Sequence, residues 1–342
     1  MSFDAVLLLG GSGAIGRQTA RAIHATYPHL PLLIGSRDLS RAQNAAKEMG
    51  GAQGVVIDTA CADLGLGEQK ISAVVVLYKD HSLAALRFAQ SRGVSHLSIS
   101  SGVFEIAPEI ANFMNAPHAA AVVLGYEWLV GATTVPTLHL SKAFSRVHKI
   151  RIGALVDEED VGGPAVAADF EHLNHLMPAA LTRRAGVYIW REGNDARTTF
   201  SAVDGTEIDA TGFSSIDVAG LASATGAHSV QFDLGTGVSS SRRDGGKFST
   251  EIIIEISGLD LAGQALHTRH AVVHPGGAAP LTGMGIALLL ERLVGLDGKP
   301  PVAPGLYFPY QILETSHYLA RLAEEGGQLM ELSLPSGSGT EQ

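Results

Sequence analysis

Short apolar runs alternate with helical patterns over the first 130 or so residues. The run AVLLLG (5–10) is apolar throughout, as expected for a strand buried on both faces of a parallel sheet, and a helical pattern follows it. Further strands are predicted at LPLLIG, GVVID, ISAVVVLY, VSHLSIS and AAAVVLG, with helices at LSRAQNAAKEMGG and SLAALRFAQSRG. Strands that alternate with helices in this way predict βαβ units and a parallel sheet.

The pattern changes after about residue 148. Strand-like segments such as HKIRIGALV, ARTTFSAV and FSTEIIIEISG follow one another, and turn signals such as EGND and VDGT join several of them. Helical patterns interrupt the strands over 164–181 and 214–226. We therefore predict an α/β chain: a Rossmann-type, doubly wound parallel sheet over 1–131, completed by C-terminal helices in 280–330, and an α+β substrate and dimerisation domain with a mainly antiparallel sheet over 132–279.

A glycine-rich turn separates the first strand from the first helix. It matches G-x-G-x-x-G in the strand–turn–helix context that dinucleotide binding requires. The first glycine allows a sharp turn, the second lets the backbone approach a pyrophosphate, and the third allows close packing of the helix. Free N–H groups at the helix start then face the anion. A purely structural turn is the alternative. The predicted cofactor contacts here are Gly11, Ser12, Gly13, Ala14, Ile15 and Gly16.

The end of the second strand indicates which dinucleotide binds. An acidic residue there would bind the ribose 2′-hydroxyl of NAD, whereas Ser36 followed by Arg37 suits the 2′-phosphate of NADP. Asp38 is expected to cap the next helix, and the alternative is that it binds the ribose of NAD. We predict NADP as the cofactor, with NAD possible. The remaining predicted cofactor contacts are Asp58, Leu77 and Tyr78.

Three segments carry a resemblance to a known family: LLLGGSGAIGRQTARAI, IGSRDLSRAQNAAKEMG and AVVVLYKDHSLAALRFAQSRGVSHLSIS. Together with the order of the domains and the closing helix after HPGGAAPLTGMG, they resemble the saccharopine dehydrogenase family. The resemblance implies NAD(P)-linked hydride transfer at a carbon–nitrogen bond of an amino acid or imine, and a dimer. Two segments depart from the family. Residues 77–81 stand where the family often has a Gly-Pro-aromatic segment, and residues 98–102 stand where it often has Asp-x-Ser-Gly-Glu. Both acidic groups, which would bind the ammonium group of a substrate, are therefore missing.

Catalytic residues are expected beyond the carboxyl ends of the fourth, fifth and sixth strands, where open α/β sheets bind ligands. The fourth strand is followed by Tyr78, Lys79 and Asp80, which we predict to be catalytic. Reduction of a carbonyl or imine needs a proton donor. Lys79 would serve if a positive neighbour lowers its pKa, and Tyr78 would serve if Lys79 lowers the pKa of the phenol. The alternative is a polar loop in which Asp80 caps the next helix. Other candidate donors are Glu127 and His274.

Three further features suit ligands less well. His267, His270 and His274 lie on a predicted strand, but their spacing puts His267 on the opposite face, so no metal site is predicted. The glycine- and serine-rich loop with Arg242 and Arg243 is either a lid for an anionic substrate or, as we favour, an exposed hairpin tip. The predicted helix that starts near 280–282 has an N-terminus that could hold a substrate carboxylate.

Composition narrows the function classes. The net charge of −10 argues against a nucleic-acid partner and gives no sign of a membrane surface partner. The apolar runs are far shorter than the ~20 residues of a membrane helix, and no basic stretch of a secretory signal precedes the first one. Cys61 is the single cysteine of the 342 residues, which fits a cytoplasmic protein.

We therefore predict a cytoplasmic, NADP-dependent oxidoreductase that acts on a small polar substrate. The alternatives are a reductase of ketones or aldehydes and a non-catalytic dinucleotide sensor. The strand STEIIIEIS places isoleucines on both of its faces, which suggests that both faces of its sheet are buried. For this reason we predict a homodimer through the second domain.

Overall fold

The computed structural model describes residues 3–100, 102–160, 162, 171 and 179–334. It divides into two compact units. The first runs to Val130 and includes Thr282–Glu314, and the second is formed mainly by residues between Gly131 and Leu281 and by the chain from Thr315 onward. The helix predicted over 164–181 falls largely outside the described residues. No helix among the described residues combines the length and the apolar character that crossing a bilayer requires.

The first unit contains a parallel sheet of seven strands in the order β15-β6-β5-β4-β1-β2-β3. The strands are β1 (Ala5–Leu9), β2 (Leu32–Ser36), β3 (Ala52–Val56), β4 (Ile71–Val76), β5 (Ser95–Ser98), β6 (Ala121–Leu124) and β15 (Gly305–Tyr307). The helices are α1 (Ala14–Thr26), α2 (Leu39–Met49), α3 (Ala84–Arg92), α4 (Ala107–Met114) and most of α9 (Ala278–Leu293). This order confirms the predicted Rossmann-type sheet.

The apolar runs of the sequence become the central strands because these strands are covered on both faces. Leu7 and Leu9 of β1 and Val74 and Val76 of β4 are at most 1% exposed, and they form a core with Phe88 of α3. The sheet reverses its direction of winding at β1, since β2 lies on one side of it and β4 on the other. Ligands of open α/β sheets bind beyond the carboxyl ends of the strands at such a point.

The second unit contains a mixed sheet of nine strands, which is mostly antiparallel as predicted. The main path is β10-β11-β12-β7-β13-β14-β16; β8 pairs with β9 and β12, and β12 runs parallel to β7. The strands are β7 (Phe144–Asp157), β8 (Ala180–Arg184), β9 (Val187–Arg191), β10 (Arg197–Ser201), β11 (Glu207–Gly212), β12 (Ser229–Gly237), β13 (Thr250–Asp260), β14 (Ala265–His274) and β16 (Gln328–Glu331). The helices are α5 (Thr134–Ser141), α6 (Gly193–Ala196), α7 (Asp217–Thr225), α8 (Ser240–Arg243) and α10 (Thr315–Glu324).

Strand β10 folds over one face of this sheet. Phe200 of β10 lies against the backbone of Gly153 in β7 and shares a buried cluster with Leu155 and Ile253. Arg269 of β14 also donates to backbone carbonyls at the end of β10. The chain itself therefore buries Ile253, the isoleucine on the second face of β13, from which the dimer was predicted. Burial of both faces does not require a second copy, and the dimer stays a prediction.

The fit of Phe200 over Gly153 leads to a stability prediction. A Cβ built at Gly153 would lie 2.6 Å from the Phe200 ring, so Gly153→Ala is expected to destabilise the protein by roughly 1–3 kcal/mol, the usual cost of overpacking. Gly237, which also lies in a strand of this sheet, has nothing within 4 Å of the same position and supplies the control, Gly237→Ala. Urea unfolding measures both variants, and equal stabilities would contradict the predicted fit.

Candidate active site

The glycine turn connects β1 to α1 as the sequence predicts, with one change in the roles of its glycines. The left-handed residue is Gly10, with φ of 80°, whereas the sequence placed the sharp turn at Gly11. The N–H of Gly13 donates to the carbonyl of Gly10 at 3.0 Å and closes the turn. No side chain caps α1, whose first N–H groups have no partner within the helix.

Gly13 and Gly16 are glycines for different physical reasons. A Cβ at Gly16 would lie 2.3 Å from the carbonyl oxygen of Gly11, so the packing of α1 on the turn requires a glycine there. A Cβ at Gly13 would meet only the carbonyl oxygen of Gly10, at 3.4 Å, and its φ and ψ of −78° and 177° suit any residue. The fold therefore requires a glycine at position 16 and tolerates a side chain at position 13. The packing of the fold therefore does not explain why position 13 is a glycine.

The end of β2 presents one arginine and one capping aspartate. Asp38 accepts hydrogen bonds from the backbone N–H groups of Ser40 and Arg41 at 2.8 and 3.2 Å, and it thereby caps α2 as expected. Arg37 is exposed beside it. Because Asp38 is occupied at the helix start, Arg37 is the side chain available to a cofactor phosphate. Farther along the edge, exposed Asp58 accepts a hydrogen bond from the N–H of Ala60.

Tyr78 lies over the start of the glycine turn. A Cβ on Gly10 would be 3.1 Å from the Tyr78 ring and 3.4 Å from the Cβ of Leu77, so both predicted cofactor contacts border the turn. Burial raises the pKa of Tyr78, and the charge of Asp80 adds to this, while Arg37 acts in the opposite direction. The lowered phenol pKa that would make Tyr78 a proton donor is therefore not found.

The other two residues of the predicted catalytic loop have acidic or backbone partners. Lys79 Nζ lies 3.2 Å from a carboxylate oxygen of Glu105, and both side chains are 15% exposed. This neighbour is negative, whereas the proton-donor hypothesis for Lys79 assumed a positive one. Asp80 accepts hydrogen bonds from the N–H groups of Ser82 and Ala85 near the start of α3, which is the capping alternative.

A buried cluster that the sequence did not reveal lies at the carboxyl ends of β5 and β6. The Ser98 hydroxyl is 2.8 Å from the Tyr126 hydroxyl and 3.2 Å from a carboxylate oxygen of Glu109, and Tyr126 also contacts that oxygen. Each of the three residues is at most 8% exposed. Burial raises the pKa of Glu109, while the bonds from Tyr126 and Ser98 and the charge of Lys79 act in the opposite direction.

Two acidic side chains lie close to this edge of the sheet, on or just before α4. Glu109 lies in the first turn of α4, and Glu105 precedes that helix. An acidic residue in a first turn is common on any helix, so the sequence held no distinct signal for Glu109. Its contacts with Ser98 and Tyr126 follow only from the way α4 packs beside the ends of β5 and β6.

Two more buried polar groups lie in this part of the sheet. Glu127 is 4% exposed and accepts a hydrogen bond from the N–H of Tyr310 at 3.2 Å. His96 lies in β5, two residues before Ser98, and its Nδ1 has no hydrogen-bond partner among the described residues. Burial lowers the pKa of His96 from 6.5 to about 4, and the charge of Asp80 opposes this change only in part.

The lowered pKa of His96 predicts a loss of stability at acid pH. Between pH 6.5 and about 4, His96 is protonated in the unfolded chain but neutral in the folded protein. The free energy of unfolding therefore falls as the pH falls through this window. The loss attributable to His96 is expected to reach about 3 kcal/mol and to vanish in His96→Leu. Urea unfolding at pH 7, 5.5 and 4 tests this, with exposed His29→Leu as the control; parallel curves for wild type and His96→Leu would contradict it.

The structure also places the three features that suited ligands less well in the sequence. No cluster of three potential metal ligands occurs among the residues that the structure describes, and this includes the histidines of β14. Arg242 pairs with Asp157 at 2.7 Å, and Arg243 pairs with Asp204 at 2.6 Å. The N-terminus of α9, considered for a substrate carboxylate, is taken by Asp160, which accepts from the N–H of Ala278 at 2.7 Å.

A Rossmann-type sheet followed by a mixed sheet defines a fold class that also occurs in solved NAD(P) oxidoreductases. Apo saccharopine dehydrogenase (L-Glu forming) from Saccharomyces cerevisiae has 15% identity and a TM-score of 0.65, with 97% of this chain and 100% of that chain covered. Homospermidine synthase from Legionella pneumophila has 8% identity and a TM-score of 0.63, with 99% and 94% covered.

A third similar structure is amine dehydrogenase from Mycobacterium smegmatis, at 14% identity and a TM-score of 0.54, with 92% of this chain and 97% of that chain covered. No protein-family model matches the sequence, and no curated protein matches it. The predicted resemblance is therefore confirmed at the level of the fold: the chain has a saccharopine dehydrogenase-like fold.

Proposed function

We propose that the chain is an NADP-dependent oxidoreductase that transfers a hydride at a carbon–nitrogen bond of a small polar amino acid or imine. The observation that carries the proposal is the glycine at position 13. The fold has room for a side chain there, whereas a bound pyrophosphate would leave no room for one. The three structural neighbours support the reaction class, since their names refer to saccharopine, homospermidine and amines. The homospermidine synthase is described in complex with NAD.

The residues of the first unit fit a dinucleotide. The pyrophosphate would lie on the N–H groups at the start of α1, next to Gly13, because no side chain of the protein caps them. The 2′-phosphate would lie beside Ser36 and Arg37, and Leu77 and Tyr78 would line the turn on the side of β4. The bound cofactor supplies or accepts the hydride.

The contacts of the catalytic loop favour a binding role for Lys79. The ion pair with Glu105 fixes the position of the Lys79 ammonium at the end of β4, where a substrate anion could reach it. We propose that Lys79, held by Glu105, binds an anionic group of the substrate, while Asp80 fixes the loop by capping α3.

This role of Lys79 predicts a selective kinetic effect. Lys79→Met removes a charge that holds the substrate in the ground state and the transition state alike, so KM for the substrate is expected to rise about 10-fold or more with kcat little changed. Steady-state kinetics at saturating NADPH measure this. A fall in kcat by ~10²-fold with unchanged KM would instead support Lys79 as the proton donor predicted from the sequence.

The proposed reaction is tested by NADPH oxidation with a panel of 2-keto acids, each with and without added amines. Oxidation that requires both compounds supports the proposal. Oxidation with the ketone or aldehyde alone would favour a carbonyl reductase, and tight NADPH binding without turnover would favour a dinucleotide sensor. Calorimetry with NADPH measures that binding separately.

We further propose that the first unit binds the dinucleotide and that the second contributes to substrate binding and to a homodimer. A cytoplasmic location is also proposed, because the single cysteine, Cys61, is exposed and leaves no internal disulfide. Light scattering at micromolar concentration measures the oligomeric state.

A further inference from the structure

Ser98, Tyr126 and Glu109 form a closed set of hydrogen bonds that the proposed cofactor site does not use. We propose that this set is the proton relay of the reaction: Tyr126 gives its hydroxyl proton to the substrate nitrogen, and Glu109 returns a proton to Tyr126. The proposal rests on the proposed function, because it needs a substrate nitrogen that gains a proton.

The position of the cluster in the sheet supports this role. Ser98 is the last residue of β5, and Tyr126 is the second residue after β6. These strands are neighbours, with Ser98 paired to Leu124, so both hydroxyl groups lie at the carboxyl edge where α/β sheets bind ligands. Glu109 of α4 approaches them from beside that edge. The cluster thus combines a hydroxyl donor, Tyr126, with a carboxyl group, Glu109, that is hydrogen-bonded to it.

The surroundings of Glu109 suit a group that stores a proton. It is 5% exposed, and burial raises the pKa of its carboxyl, an effect to which Asp80 adds. Lys79 and the two hydroxyl donors oppose the rise, and Glu105 neutralises part of the charge of Lys79. Glu109 therefore keeps its proton to a higher pH than an exposed glutamate does.

The proton transfers balance for reduction of a neutral imine. The hydride forms the new C–H bond, and the electron pair of the C=N π bond passes to nitrogen and forms an N–H bond with the proton of Tyr126. The phenolate then takes the proton of Glu109, and water returns a proton to the carboxylate. Each hydride transferred is accompanied by one proton taken from solvent, and Ser98 holds the phenol oxygen in place through its hydroxyl.

The storage of a proton on Glu109 is tested without a substrate. Infrared difference spectra against pH are expected to show a protonated-carboxyl band that persists where exposed glutamates have ionised. Glu109→Gln should remove the contribution of Glu109 and leave only that of Asp160 and Glu325, whose pKa values burial also raises, and Glu68→Gln, at an exposed position, should keep the whole band. Tyr126→Phe should move its midpoint to higher pH, because the carboxylate loses a donor. Absence of the band, or an identical band in wild type and Glu109→Gln, would overturn the relay even if the enzyme is active.

The transfer from Tyr126 is tested with the panel acceptor that wild type reduces fastest. Tyr126→Phe is expected to lower kcat by ~10²-fold or more with NADPH affinity unchanged, and Glu109→Gln to alter the pH profile of kcat. Tyr307→Phe, whose hydroxyl binds the carbonyl of Ala303, serves as the matched control and should match wild type. Wild-type kcat in Tyr126→Phe would overturn the relay. If wild type shows the infrared band but reduces no member of the panel, the proposed function is contradicted. The storage of a proton on Glu109 is still supported in that case.

Discussion

Gly13→Val is expected to abolish dinucleotide binding while the protein remains folded. The extended backbone of Gly13 suits valine, and the nearest atom to its Cβ is the carbonyl oxygen of Gly10 at 3.4 Å. The branched side chain would instead fill the space beside the free N–H groups of α1. Calorimetric titration with NADPH and NADH should give no heat of binding at concentrations that saturate wild type, with an unchanged melting temperature.

Gly16→Val supplies the contrast within the same turn. Its Cβ would overlap the backbone of Gly11 at 2.3–2.5 Å, so this variant is expected to lose stability as well as binding. A difference in melting temperature between the two variants separates a glycine that a ligand requires from one that the packing of α1 requires. If Gly13→Val binds NADPH as wild type does, the turn is only structural and the proposed function loses its main support.

Arg37→Ser is expected to weaken NADPH binding by ~10–10²-fold and to leave NADH binding nearly unchanged. A hydrogen bond to a charged group contributes about 1.5–3 kcal/mol, and only NADPH carries the 2′-phosphate that Arg37 would bind. Calorimetric competition titrations with NADPH and NADH measure the change in the preference between the two cofactors. Arg21→Ser, at an exposed position of α1, is the matched control. An equal loss for both cofactors would contradict the assignment of NADP.

Local patterns in the sequence were enough to predict the Rossmann-type sheet and its glycine turn. An unbroken apolar run such as AVLLLG is stable only where a strand is covered on both faces. A G-x-G-x-x-G motif between a strand and a helix is typical of a Rossmann-type turn. The cap at Asp38 also followed from local chemistry, because a side chain that binds N–H groups two and three residues later needs no distant partner.

The two proton-donor hypotheses depended on the surroundings of Lys79 and Tyr78, and these surroundings differ from the ones assumed. The hypothesis for Lys79 assumed a positive neighbour, and the structure places the carboxylate of Glu105 there. The hypothesis for Tyr78 was conditional on Lys79 lowering the pKa of the phenol, and the pKa of Tyr78 is instead raised because the ring is buried over the glycine turn. Whether a side chain is charged, buried or paired depends on residues far along the chain, and a single sequence does not state which of them meet.

By itself, then, the sequence determined the alternation of strands and helices up to β6, apart from α4, together with the glycine turn and the polar loop after β4, because hydrophobic periodicity and turn chemistry act over a few residues. The tertiary structure alone decided that β10 folds over the sheet and buries Ile253, and that Glu109 meets Ser98 and Tyr126. Both contacts join residues that are distant in sequence. They form because the packing of whole elements, a curled sheet and a helix beside two strand ends, brings those side chains within reach.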